Sequence, residues 1–236
     1  RDCLLSRGLG DVYKRQGLNL PKKCVFAFLG AYIDEYASKS DTKQVSTFES
    51  ATKHYPIYIT KYKGEDIVLC QAPVGAAAAT QILDWLIGYG VREVISAGSC
   101  GALEKFPEST FLVPNKALRD EGTSYHYAPP SRFVEISEKA RKAIEETILE
   151  HSMKYQEVIT WSTDGFFRET KEKVAYRKSE GCAVVEMECS ALAACADFRG
   201  ATWGMILYTA DSLADVDKYL SLIHISEPTR QEAISY

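Results

Sequence analysis

The feature that most constrains this chain is a series of short apolar runs, each ending in glycine or an acid and spaced by helix-length stretches. CVFAFLG (24 to 30) is long enough for one buried strand and stops at Gly30. IYITKYKGEDIVLC (57 to 70) carries two β-branched runs that turn at Lys63-Gly64, the pattern of a hairpin. VGAAAATQILDWLIGYG (74 to 90) reads as a helix closed by glycine, and VREVISAGSCGAL (91 to 103) as a strand delivering a glycine-rich loop. TFLVPNKAL (110 to 118) predicts a strand, VEISEKARKAIEETILEH (134 to 151) an amphipathic helix, and YQEVITWST (155 to 163) a further strand. A helix beginning near Glu188 and the strand TWGMILYTAD (202 to 211) complete the alternation. This order predicts an α/β fold, a single domain whose mixed or mostly parallel central sheet is flanked by helices. In such sheets ligands gather where strands hand over to loops at their carboxyl ends. Four handovers stand out: SAGSCGA, STDGFF, TADSLAD and the VEMECS turn.

Composition narrows the partners. A formal net charge of −4 supplies no basic face, so no nucleic-acid partner is expected. No apolar run approaches the roughly 20 residues that cross a bilayer, and no membrane association is expected. The seven cysteines are odd in number and lack CxxC pairing, and none of the four histidines has metal-motif spacing. The expectation is a reducing cytoplasm and no metal centre. The two ends, RDCLLSRGLGDVYKRQ (1 to 16) and SLIHISEPTRQEAISY (221 to 236), have no strand or helix periodicity. Both resemble translated sequencing-adaptor read-through, so the domain is expected to occupy residues 17 to 220.

The chemistry is concentrated in VVEMECSA (184 to 191), where Glu186 and Glu188 flank Met187 in an otherwise apolar stretch. A buried carboxylate needs a partner or a purpose, and Glu188 could cap the helix that follows it. Gly98 and Ser99 in SAGSCGA have the composition of an anion-binding nest, and equally of a plain tight turn. Asp211 closes an apolar strand, where burial would keep a proton on it near neutrality, or where it could simply cap a turn. Phe166 follows Asp164-Gly165 at a strand end and is suited either to stacking a heterocycle or to core packing.

Taken together, VVEMECSALAACADFRG, SAGSCGAL, LRDEGTSYHYAP and YTADSLAD, in this order and spacing, resemble the nucleoside phosphorylase superfamily over roughly residues 20 to 215. That group includes purine nucleoside phosphorylases, uridine phosphorylases and bacterial nucleosidases. The resemblance implies a three-layer α/β fold and cleavage of a nucleoside N-glycosidic bond. Phosphorolysis to the free base and ribose 1-phosphate is the first reading. A hydrolytic nucleosidase and a non-catalytic nucleoside-binding protein are the alternatives. It further implies that Glu188 accepts hydrogen bonds from the ribose 2′- and 3′-hydroxyls while Met187 packs on the sugar. Glu186 would support them, Phe166 would stack on the base, Gly98, Ser99 and Gly30 would line the phosphate or water subsite, and Asp211 would protonate the leaving base. No cofactor is implied beyond inorganic phosphate as co-substrate, and a homo-oligomer, dimer or hexamer, is implied.

The sequence also departs from the phosphorylase pattern. Ser96 stands where the phosphorylases place an arginine, GAYIDE (30 to 35) replaces a phosphate motif, and Glu49 falls at a further arginine position, with Lys53 nearby. RETKEK (168 to 173) stands where uridine enzymes read the base, and the arginine of the purine enzymes falls at His224. GAYIDE instead resembles the GAMEEE-like segment of methylthioadenosine/S-adenosylhomocysteine nucleosidases, and places Glu35 where their water-activating carboxylate lies. On residue grounds alone, Asp34 and Glu35 could equally open a solvent-facing helix.

Overall fold

The computed structural model describes residues 17–39, 41–107, 109–212 and 220–221. The expected read-through ends thus fall outside the described residues, apart from Ser221, as does His224. Among the described residues, eleven strands form one mixed sheet: β1 (Lys23–Ala27), β2 (Lys43–Glu49), β3 (His54–Tyr62), β4 (Glu65–Gln71), β5 (Glu93–Ala102), β6 (Thr110–Asp120), β7 (Phe133–Glu135), β8 (Lys154–Thr163), β9 (Cys182–Glu186), β10 (Thr202–Ser212) and β11 (Leu220–Ser221). The α-helices are α1 (Tyr32–Lys39), α2 (Ala76–Gly88), α3 (Glu138–Glu150), α4 (Lys171–Ser179) and α5 (Cys189–Phe198). The single α/β domain with a mixed sheet is as the alternation predicts.

The strand pairings go beyond that prediction. β5 runs parallel to β10, β10 antiparallel to β6, β6 parallel to β8, β8 parallel to β9, and β9 antiparallel to β5. Five strands therefore close a circuit, and β1, β4, β3 and β2 extend from it as an open wing, with β1 parallel to both β5 and β4. Closure removes edges that would otherwise be exposed. It also gathers the carboxyl ends of β1, β4, β5 and β10 at one end of the sheet. The predicted hairpin is present as β3–β4, and its turn needs positive φ at both central residues, 49° at Lys63 and 84° at Gly64.

Two expectations are corrected. SAGSCGA is not a loop: β5 continues through it, because β10 pairs with it along its length as far as Ala102. The run from residue 134 is not helical throughout. Its first residues belong to β7, and α3 starts only after Ser137, whose hydroxyl accepts from Ala140 N. The core is built from Phe26, Ile57, Leu83, Leu86, Leu112, Leu192 and Trp203, all fully buried or nearly so, between the sheet and the α2–α5 pair. On the other face α3 approaches β10 so closely that a Cβ at Gly204 would sit 2.7 Å from Ala140 Cβ. Only glycine fits there.

Candidate active site

β9 ends at Glu186 and α5 begins three residues later, so VEMECS is a strand-to-helix corner. The helix start leaves backbone N–H groups without intrahelical partners. Glu186, not Glu188, supplies them: its Oε2 accepts from the N–H of Glu188 and of Cys189, each at 2.6 Å. Its Oε1 accepts from Thr160 Oγ1 at 3.0 Å and Ser162 Oγ at 2.6 Å, both on β8. The sequence-based proposal that Glu188 caps α5 is therefore corrected, since Glu188 makes no side-chain cap bond. A two-residue reach lets Glu186 close on its own downstream backbone, which leaves Glu188 directed away from the helix.

Glu188 accepts instead from the Gly75 N–H, at 2.5 Å, across from the start of α2. Gly75 reaches it with φ 100° and ψ 135°, a conformation that side-chain-bearing residues rarely adopt. Burial, and after it the Glu186 charge, pushes the Glu188 carboxyl up to about 8, against the Gly75 donor and the backbone of Met187. Burial raises Glu186 as well, and its four donors oppose that rise. Of the pair, Glu188 is the one that holds a proton readily, because it has fewer donors. Met187 is half-buried between them.

A second hydrogen-bonded chain joins this corner to LRDEGTSYHY. Ser162 Oγ accepts from Ser190 N at 2.9 Å, and Ser190 Oγ donates to Glu121 Oε1 at 2.8 Å. Glu121 Oε2 accepts from Ser124 N at 2.9 Å, and Gly122 N donates to Asp164 Oδ2 at 2.9 Å. Asp164 lies close enough to Glu188 to contribute to its raised pKa. It precedes the 3-10 turn that carries Phe166, which is half exposed and packs edge-on against Phe167 at 5.0 Å.

The other expected residues sit as follows. Gly98 is buried in β5, where a Cβ would meet Phe28 Cβ at 3.2 Å and Met205 Cε at 3.3 Å, and Ser99 beside it is exposed. The Gly98 surroundings are thus close apolar packing rather than an open nest. Gly30 turns the chain out of β1 with φ 57°. Glu35 is exposed on α1, in a groove of about 500 Å³ formed with Val25, Leu29, Tyr36, Ile67 and Leu69, and makes no described contact with the Glu186–Glu188 corner. Asp211 pairs through its backbone with Gly101 at the end of β10, and its side chain lies outside the described residues. Ser96 is fully buried and accepts from Trp203 Nε1 at 3.0 Å. Lys53 lies over the Tyr55 ring, and Lys173 pairs with Asp120.

The sequence alone did not single out Gly75, Thr160, Ser162, Ser190 or Glu121. A signal existed for Gly75, an isolated glycine between an apolar strand and an alanine-rich helix. None existed for Thr160 and Ser162, which alternate along a strand like any inward-facing polar pair.

The family model of the phosphorylase superfamily matches residues 22–233. The chain belongs to the phosphorylase superfamily. A 5′-methylthioadenosine/S-adenosylhomocysteine nucleosidase of Buchnera aphidicola is 30% identical to this member over 158 residues, 61% of this chain and 67% of the relative. A guanosine phosphorylase of Halorubrum lacusprofundi is 24% identical, with 74% of this chain and 71% of the relative covered. The structure of uridine phosphorylase from Vibrio fischeri ES114 superposes with a TM-score of 0.74 over 89% of this chain and 85% of that one, at 22% identity, which establishes the shared fold. Among the described residues, no helix of this superfamily member is long and apolar enough to cross a membrane.

Proposed function

We propose that this protein cleaves the N-glycosidic bond of a nucleoside, holding the ribose through Glu188, and that water rather than phosphate receives the ribosyl group. The observation that carries the choice of water is Ser96. It stands where the resemblance expects a phosphate-binding arginine, and its hydroxyl is spent on Trp203 in a fully buried position. Six of the seven described arginines are engaged elsewhere: Arg92 with the Ile87 and Val91 carbonyls, Arg119 with the 124–131 loop, Arg132 with Glu180, Arg141 with Glu145 and Glu157, Arg177 with Asp120 and Glu180, and Arg199 with Asp84, while the seventh, Arg168, is exposed on the turn that carries Phe166. Phosphate, a mono- or dianion at neutral pH, would find none of the six engaged guanidiniums available to compensate its charge.

The ribose role rests on the corner geometry. Glu188 is buried, supported from one side by Gly75, and its neighbour Glu186 has no lone pair to spare for a substrate. Bond cleavage builds positive charge on the sugar and negative charge on the departing base, and a carboxyl at the diol, which ionises more readily as that positive charge builds, stabilises the first of these. Asp211, at the end of β10, is the candidate donor to the base, and Phe166 its stacking partner. In this reading Glu35, exposed on α1, is the candidate to take the proton from the attacking water, as the resemblance implies. Phosphorolysis remains the second reading, favoured by the exposed Ser99 at the end of β5 and by the guanosine phosphorylase among the relatives.

The test is a panel of inosine, adenosine, methylthioadenosine and uridine, with and without inorganic phosphate. Release of free ribose (or methylthioribose) in phosphate-free buffer is expected. Turnover that begins only when phosphate is added, with ribose 1-phosphate as product, would replace this reading by the second. Glu188→Ala and Asp211→Ala are expected to abolish turnover in folded protein. Unchanged rates in both would remove the assignment of the site.

A further inference from the structure

The motif LRDEGTSYHY contributes no group to the chemistry above, yet its Glu121 is buried and bonded into the site. Glu121 is 4% exposed, and both of its oxygens are committed. One takes the hydroxyl of Ser190, in the first turn of α5, and the other takes the N–H of Ser124, in the 3-10 turn Thr123–His126. The next residue, Gly122, gives its N–H to Asp164, which precedes the turn carrying Phe166. Ser190 also donates its N–H to Ser162, and Ser162 holds Glu186. From these contacts we propose that Glu121 is a positioning residue that sets the register between the ribose-holding corner at Glu188 and the base-stacking turn at Phe166.

Glu188 sits at the N-cap of α5, so its carboxylate follows any rotation or shift of that first turn. Glu186 fixes the turn from the β8 side through Thr160 and Ser162. Glu121 fixes it from the β6 side through Ser190. With one clamp removed the turn keeps its hydrogen-bonded helix but is held from one side only. A pair of hydroxyls bridged by one carboxylate feels such a shift, because both bonds need their angles at once. A sugar with a single hydroxyl feels it less. Glu121 and Ser124 tie the same clamp to the loop that holds Asp164, so the position of the sugar and the position of the base move together.

The inference rests on the ribose role of Glu188, and its test separates the two. Ser190→Ala removes only the hydroxyl bonded to Glu121 and leaves the N–H to Ser162 in place. Glu121→Ala removes both bonds. Glu121→Gln can keep both, its carbonyl taking Ser124 N–H and its amide donating to Ser190 Oγ. Steady-state kinetics compares whichever of inosine, adenosine or uridine the protein consumes with its 2′-deoxy counterpart, after thermal melts confirm folded variants. For Ser190→Ala and Glu121→Ala we expect KM for the ribonucleoside to rise about tenfold and KM for the deoxynucleoside by no more than about twofold. Glu121→Gln should recover most of the loss.

Equal effects on both sugars, or a Glu121→Gln variant as impaired as Glu121→Ala, would overturn the positioning role and leave Glu121 a packing residue. Binding of the same two ligands to Glu188→Ala, measured by calorimetry, is the control. If that variant loses the preference for the ribonucleoside while Ser190→Ala keeps it, the positioning inference fails and the ribose assignment stands. If Glu188→Ala retains the preference, both fail.

Discussion

At the scale of single residues, two glutamates two positions apart have acquired opposite roles through the number of donors each meets. Glu186 receives four hydrogen bonds and behaves as part of the scaffold, while Glu188 receives backbone donors only and keeps capacity for a ligand. The difference has a thermodynamic signature. The folded Glu188 carboxyl is raised to about 8, whereas in an unfolded chain it would titrate near about 4.3. Between those values the unfolded chain releases the proton freely and the folded one retains it, so this group's contribution is fully present at low pH. It is lost as pH rises through about 8. We expect stability to fall with rising pH across that window, with a share from Glu188 of up to about 1.4 kcal/mol per pH unit. Urea melts at several pH values should show a shallower fall for Glu188→Gln than for the wild type. Parallel curves would mean that the carboxyl is not raised. The resemblance already separated the two glutamates, giving Glu188 the sugar and Glu186 a supporting place, whereas the residues alone suggested Glu188 as the helix cap, because the donors that hold Glu186 in that position, Thr160 and Ser162, lie far away in sequence.

At the scale of elements, the site depends on how α2 and α5 are started and held together. α2 begins at Gly75, whose N–H reaches Glu188 only because of its positive φ, and a Cβ there would meet no atom within 4 Å. Gly75→Ala therefore carries backbone strain of about 1–3 kcal/mol without a packing clash. A lower melting temperature together with a raised nucleoside KM is expected. A drop in stability with unchanged KM would show that the Gly75 donor is dispensable for the ligand. The two helices are joined by Asp84 of α2, which accepts from Arg199 Nε at 2.7 Å, Arg199 Nη2 at 3.1 Å and Tyr127 Oη at 3.0 Å. Asp84→Ala should destabilise by about 2 kcal/mol, read as a shifted urea midpoint, because three donors lose a shared acceptor. Elements with strong local signals were legible: the Lys63-Gly64 hairpin, α2, most of α3, and β10. β9 was hidden inside the Glu-Met-Glu motif, and α4, KEKVAYRKS, has only Val174 as a buried apolar anchor, with the buried Arg177 beside it. Its place is set by Arg177 and Lys173 on Asp120, and such long-range ion pairs leave no periodicity.

At the scale of the whole molecule, closure of β5, β10, β6, β8 and β9 is what makes distant motifs meet, and nothing in the order of apolar runs announces it. A sequence of strands and helices predicts neighbours in a sheet, whereas the β9–β5 pairing that closes the circuit involves only Gly101–Ala102 with Val184–Val185. The buried cysteines report on the interior that results, Cys182 in one hydrophobic cluster and the other five in another. Cys24, Cys70, Cys100, Cys182, Cys189 and Cys195 are all buried and free, on β1, β4, β5, β9 and α5. Burial raises most of these thiols, Cys182 to about 12, so the thiolate needed for reaction is scarce even where a reagent could reach. Cys3, the seventh, lies outside the described residues and would obscure the result, so the measurement belongs on Cys3→Ser. In native buffer that variant should show no fast reaction with a thiol-specific disulfide reagent, and in denaturant it should show all six thiols. In sub-denaturing urea the six should react at rates that track the global unfolding free energy, since they sit on strands of one sheet and on α5. If the thiols of β1 and β4 react earlier than those of β5, β9 and α5, the wing opens independently of the circuit, and the two are separate cooperative units.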